Sequence, residues 1–162
     1  MSVTFELVPP DGAVQENCIQ QIEELIATRL PEDFREFLEQ YDGGVPLLED
    51  VTNVLVLPDP EADADVLRFV SSREILNFLR GQSAHAYWQY FTEGVVPFAI
   101  GSCVEWGLGV TGPHSGSIVI LYHELVPVAG VAAKEDSYSW EATATMSFSQ
   151  LLEVLVPQSS LE

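Results

Sequence analysis

The sequence predicts an α+β domain in which an N-terminal helical pair and a C-terminal helix pack on a mixed, mainly antiparallel sheet. Three observations carry that expectation. Apolar residues recur at helical spacing twice before Gly43. The stretch from Val95 to Tyr122 is a succession of short apolar runs divided by Gly, Ser and Pro, without the long helical intervals that parallel neighbours require. A last amphipathic segment, Met146 to Val156, closes the chain. At 162 residues and 47% apolar composition, one domain over residues 1–160 can bury a core without disulfide or metal staples. Leu161 and Glu162 are set aside as a candidate cloning remnant.

Val3, Phe5 and Leu7 alternate with Thr4 and Glu6 before Pro9, Pro10, Asp11 and Gly12, which reads as a short edge strand up to Val8 ended by a turn. A helix is expected from about Val14 to Arg29, with Ile19, Ile22, Leu25 and Ile26 on its apolar stripe. A break of a residue or two at Leu30 and Pro31 leads into the best-marked element of the chain, LPEDFREFLEQYDGG. Pro31 is pre-set for a first turn, and Glu32 and Asp33 put negative charge at the positive end of the helix dipole. Phe34, Phe37, Leu38 and Tyr41 form the buried stripe, and Gly43 and Gly44 supply the left-handed conformation that ends the helix. Its outer face carries Glu32, Glu36, Glu39 and Gln40.

The texture then turns to β. Val51 to Leu57 reads as a strand closed by Pro58 and Pro60, and Val66 to Val70 as a second strand beyond an acidic loop. Ser71 and Glu74 have capping-box spacing ahead of a helix with Ile75, Phe78 and Leu79, ended by Gly81. Tyr87, Trp88, Tyr90 and Phe91 fit neither period. Val95–Ile100, Trp106–Val110 and Ser117–Tyr122 are antiparallel strand candidates, Val128 to Ala144 carries no clear pattern, and Ser147 stands at or near the cap of the closing helix.

Charge is the strongest global signal. Six Lys and Arg face 25 Asp and Glu, a net of −19. Residues 1–65 hold 16 acids against Arg29 and Arg35, a net of −14, so an electrostatic interface is expected in the first half. Such a field repels phosphate backbones and anionic lipid, which argues against direct nucleic-acid or membrane binding and for a basic protein partner. The N-terminus lacks a basic segment followed by an apolar one, and no apolar run approaches a membrane span, so a cytoplasmic protein is expected. Cys18 and Cys103, far apart and outside any C-x-x-C, read as buried thiols in a reducing compartment.

No motif calls for a cofactor. Gly107, Gly109 and Gly112 match G-x-G-x-x-G, but Pro113, His114 and another strand follow where a dinucleotide fold needs a helix, so a glycine-rich hairpin is expected. An EF-hand frame beginning at Asp59 fails at Ala64 and Val70, where Gly and Glu are needed. His85, His114, His123 and the two cysteines lack zinc-ligand spacing. His114 beside Ser115 is the one adjacent Ser/His pair, and between Pro113 and Gly116 it reads as a turn, so no catalytic residue is assigned.

In this order the landmarks resemble the SUKH superfamily, which contains bacterial immunity proteins of polymorphic-toxin systems and relatives of a yeast cell-wall-synthesis regulator. They are Ile22, Glu23 and Leu25 in a first helix; Leu30, Pro31, Phe34, Phe37 and Leu38; the turn Tyr41–Gly44; VPFAIG from Val96 to Gly101; Gly116 to Ile118; and Ser147 to Leu152. The resemblance spans residues 15–156; Ser102–Trp106 and the aromatic segment from Gln82 to Gly94 depart from it. It implies a non-enzymatic immunity protein that neutralises a cognate toxin, commonly a nuclease, with a general interaction or scaffold module as the alternative. Acidity is compatible with either. The partner-binding residues expected are Asp59, Glu61, Asp63 and Asp65 first, then Glu49 and Asp50, then Glu36 and Glu39.

Overall fold

The computed structural model describes residues 6–8, 16–48, 51–59, 62–123 and 139–161. Helix α1 (Glu16–Ile26) buries Cys18, Ile19 and Ile22 but leaves Leu25 51% exposed. It stops earlier than expected because Ala27 takes a left-handed φ of 59°, and residues 27–31 rather than one or two join it to α2 (Glu32–Gln40). Glu23 braces that joint: its carboxylate accepts the Leu30 N–H at 2.8 Å and pairs with Arg35 at 3.4 Å. Pro31 caps α2 from outside the first turn. At the other end Asp42, with φ 48°, begins the left-handed exit that Gly43 and Gly44 continue.

The described strands fall into three sheets. In the first, β1 (Glu6–Val8) lies at the edge of β2 (Val45–Leu48), which also pairs with β3 (Val51–Thr52). The run Val51–Leu57 is therefore not one strand: after Thr52 the chain leaves this sheet, and β4 (Leu55–Val56) joins another with β5 (Asp65–Val66). Val66–Val70 divides in the same way. Exposed Leu67 separates β5 from β6 (Arg68–Phe69), the first edge of the central sheet. Helix α3 (Ser72–Leu79) begins on Ser71, whose hydroxyl accepts the Glu74 N–H; the reciprocal half of the capping box is missing because the Glu74 carboxylate holds Arg68 instead. The aromatic segment forms a 3-10 turn, Ala86–Tyr90.

The central sheet continues antiparallel through β7 (Val95–Ile100), β8 (Val104–Gly109), β9 (Ile118–His123) and β10 (Ser139–Ala144), as the spacing predicts, with β8 in the middle. Helix α4 (Phe148–Val154) starts on a complete capping box between Ser147 and Gln150, and β11 (Val156–Pro157) then pairs with β4. The α+β fold expected from the sequence is the fold observed.

One sheet face receives α2 and α4 through aromatic rings. Phe148 stands edge-on to Phe34, Phe37 and Phe98, with centroids 5.0, 4.9 and 5.3 Å apart, and Phe37 reaches Phe69 on β6. Asp33 ties the two helices at their N-termini, accepting from the Phe34 N–H at 2.8 Å and from the Ser149 N–H and hydroxyl at 2.9 Å. The glycine-rich stretch has a packing explanation. A Cβ at Gly107 would meet the Phe91 ring at 2.9 Å, and one at Gly109 would lie 1.7 Å from the His114 carbonyl oxygen. Cys103, expected to be buried, is exposed in the β7–β8 turn, whereas Cys18 is buried.

Asp42 is buried, and its carboxylate accepts the Ser72 N–H at 2.8 Å, so one side chain both ends α2 and anchors the start of α3. Asp42→Ala is expected to lower unfolding free energy by about 2 kcal/mol, because a buried N–H loses its acceptor and Ala tolerates a left-handed φ poorly. Asp42→Asn, which keeps an acceptor and the turn preference, is expected to lose less than half of that in urea denaturation.

Candidate interaction surface

The acidic loop is fastened to one end of the central sheet. Between β4 and β5 the chain turns at Asp63, which is exposed and has φ 45°. The Tyr122 hydroxyl donates to the Ala62 carbonyl oxygen at 2.7 Å, and the Trp106 indole donates to the Asp65 carbonyl oxygen at 2.7 Å. Asp65 turns its carboxylate inward: Oδ1 accepts the Ser102 N–H at 3.0 Å and Oδ2 the Ser102 hydroxyl at 2.8 Å. The loop thus rides on the β7–β8 turn, with Asp59 and Asp63 presented to solvent and Asp65 acting as the bracket.

The other predicted residues lie apart or outside view. Glu49, Asp50 and Glu61 are outside the described residues. Glu36 and Glu39 are exposed on α2, the helix that packs on α1 and α4, and Glu39 is paired with Arg35. The Asp59–Asp65 loop and the α2 acids are therefore carried by different elements.

The opposite face of the same sheet holds charged residues that the sequence reading missed. Register places Arg68, Ile100, Glu105, Leu121 and Glu141 in one row across all five strands. Glu105 is 3% exposed beneath the aromatic turn. His123 Nε2 lies 3.8 Å from its Oε1, Tyr87 stacks on His123 at 3.9 Å, and His85 stacks on Trp88 at 4.2 Å. Among the described residues neither Glu105 Oε2 nor the Trp88 indole N–H closes a hydrogen bond of standard geometry. Burial pushes the Glu105 carboxyl up to about 7, opposed by the Trp88 indole and by Arg68. Burial, then Arg68, lowers His85, with Glu74 opposing. Alternation could have marked Glu105, which sits between Val104 and Trp106, as a charged residue on a strand covered on both faces.

At the far end of the row Glu141 accepts the Thr92 N–H at 2.6 Å and the Thr92 hydroxyl at 2.7 Å, and His114 Nε2 lies 3.2 Å from it. This arrangement pins three chain segments together. It presents no aligned Ser nucleophile, since Ser115 belongs to the turn whose N–H bonds Gly112. Among the described residues no three His, Cys, Asp or Glu side chains converge as a metal-ligand set, and no helix is long and apolar enough to cross a membrane.

The chain belongs to the SMI1 / KNR4 family (SUKH-1), which it matches over residues 13–152. Membership supports a role as an immunity protein or interaction module. A search of curated proteins gives no significant match.

Glu105 makes stability depend on pH with a definite sign. Its carboxyl is protonated in folded and unfolded chains alike below its ordinary value of 4.5, and it holds its proton in the folded chain up to about 7. This contribution is therefore complete at low pH and is lost as pH rises through that window, by about 3 kcal/mol in all. Glu105→Gln is expected to remove this loss, so that the stability difference between variant and parent grows from pH 4.5 to 7 and then levels, as read by denaturation at each pH.

Proposed function

We propose that the protein is an immunity protein that binds and neutralises a cognate basic toxin, a nuclease effector, using the acidic loop at the end of the central sheet as its electrostatic contact. The observation that carries this reading is the conjunction of family and charge: a SUKH-1 chain of net −19 with Asp59 and Asp63 exposed, Asp63 lying between the Ala62 carbonyl that accepts the Tyr122 hydroxyl and the Asp65 carboxylate that accepts Ser102. A nuclease needs positive charge to hold its substrate, and carboxylates on a fixed loop compete for the same side chains. Glu61, Glu49 and Asp50 belong to this proposal through sequence proximity, while Glu36 and Glu39 on α2 form its outer reach. The location proposed is the cytoplasm, where such a toxin would meet its substrate.

Co-expression with the product of the neighbouring gene, followed by pull-down and growth rescue, tests the partner class. Asp59→Lys combined with Asp63→Asn tests the surface; Asn is chosen at position 63 because it tolerates the left-handed backbone there. The double variant is expected to bind the partner at least ~10-fold more weakly at low salt, with a shallower dependence on ionic strength. Unchanged affinity and unchanged salt dependence would reject the loop as the contact.

A further inference from the structure

The aromatic turn lies over the central sheet without being bonded into it. Among the described residues no backbone hydrogen bond joins Ser83–Tyr90 to a strand: the Trp88 N–H donates to the His85 carbonyl oxygen at 3.3 Å, and the Phe91 N–H to that of Trp88 at 3.2 Å. The fastenings of the segment lie at its ends. The Gly81 N–H bonds the Phe78 carbonyl oxygen at 3.0 Å, and Thr92 is held by Glu141. Gly81 takes φ 72° with open space where a Cβ would stand, so the entry to the segment has a glycine pivot. On the α3 side a cavity of about 310 Å³, lined by Phe78, Gly81, Ser83, His85 and Gln89, leaves room for movement.

What the segment covers is a titratable pair. The buried Trp88 indole lies against the Glu105 carboxylate, and Tyr87, itself exposed, stacks on His123. His123 Nε2 stands 3.8 Å from Glu105 Oε1, so carboxylate and imidazole are placed to hold one proton between them. With that proton the pair is neutral overall, whichever group carries it; without it a negative charge remains under the turn. The charged groups facing the pair offset this only in part. Arg68, in the same row, is engaged by both carboxylate oxygens of Glu74 on α3. Glu141, at the far end of the row, is itself acidic and engaged with Thr92 and His114. His85, stacked on Trp88, is held toward its neutral form by burial and then by Arg68. For Glu105 burial outweighs what the indole and Arg68 restore. Swinging the turn outward hydrates the carboxylate and breaks no bond of the sheet ladder.

We infer that residues 82–90 form a proton-gated flap: loss of the proton held by Glu105 and His123 opens the segment and uncovers Trp88. The flap is closed in acid and loosens as pH rises toward neutrality, because the closed form binds the proton more tightly than the open one. This device is independent of the partner that the acidic loop meets.

Native-state hydrogen exchange on the whole chain tests it. After correction for the intrinsic pH dependence of amide exchange, protection of the Trp88 and Phe91 N–H groups is expected to fall up to ~300-fold between pH 4.5 and 7, the ratio set by a carboxyl at about 7 under the closed flap and at its ordinary 4.5 in the open one. Low urea is expected to leave these two rates nearly unchanged while speeding exchange at Val119 in the sheet, since a local opening exposes little surface. Glu105→Gln is expected to flatten the pH dependence. Tyr87→Ala, at an exposed position, is expected to lower protection by the same factor at every pH and keep the slope. Flat protection in the parent, an unaltered slope in Glu105→Gln, or the same urea dependence at Trp88 as at Val119 would overturn the flap.

Discussion

Every residue of β8, from Val104 to Gly109, is buried, and most of the molecule follows from the need to cover that strand on both sides. Register puts Val104, Trp106 and Leu108 on one face and Glu105, Gly107 and Gly109 on the other. The first face is met by α2 and α4 through the rings of Phe34, Phe37, Phe98 and Phe148. The second is covered by the aromatic turn Ala86–Tyr90 and by Phe91 instead. That difference explains the two glycines. A ring or a carbonyl lies where a Cβ would be, so Gly107 and Gly109 are conditions of the second layer rather than parts of a phosphate loop.

The same constraint decides what the sequence could and could not reveal. Helix α2 and the strands at Val95–Ile100 and Ile118–His123 are legible because their periodicity is carried by local neighbours and each keeps one partner surface along its length. Val51–Leu57 and Val66–Val70 read as single strands because alternation reports which way side chains point, not which sheet the backbone bonds to; both runs cross between sheets. Leu25 fits the stripe of α1 by spacing, yet spacing cannot say where the core ends. The Tyr41–Gly44 turn was readable, but the role of Asp42 was not, since its partner Ser72 comes 30 residues later. In the site, exposed Asp59 and Asp63 agree with a charged loop, while the inward turn of Asp65 depends on Ser102 across the sheet end. The Arg68–Glu105–Glu141 row exists only once five strands are in register.

A net charge of −19 overstates what the surface offers to a partner. Glu23, Asp33, Asp42, Asp65, Glu74 and Glu141 accept hydrogen bonds or ion pairs that join one element or turn to another. They act as internal fasteners, accepting backbone N–H groups, hydroxyls or a guanidinium across the joints they close. Glu24, Glu32, Glu36, Asp59, Asp63, Glu93 and Glu153 remain exposed, and these shape the field that a partner meets. The acidity of the chain is therefore divided between carboxylates that fasten the fold and carboxylates that face solvent.

Screening then constrains how recognition is organised. At physiological ionic strength the field of an exposed charge decays over about 8 Å, so the acidic loop at one end of β7 and exposed Glu93 at the other, roughly 20 Å apart, do not reinforce each other at a single basic residue. A fixed spacing between the two ends is what a sheet of paired strands provides. The bracket of Asp65 on Ser102 and the pin of Glu141 on Thr92 hold the two ends to opposite termini of β7.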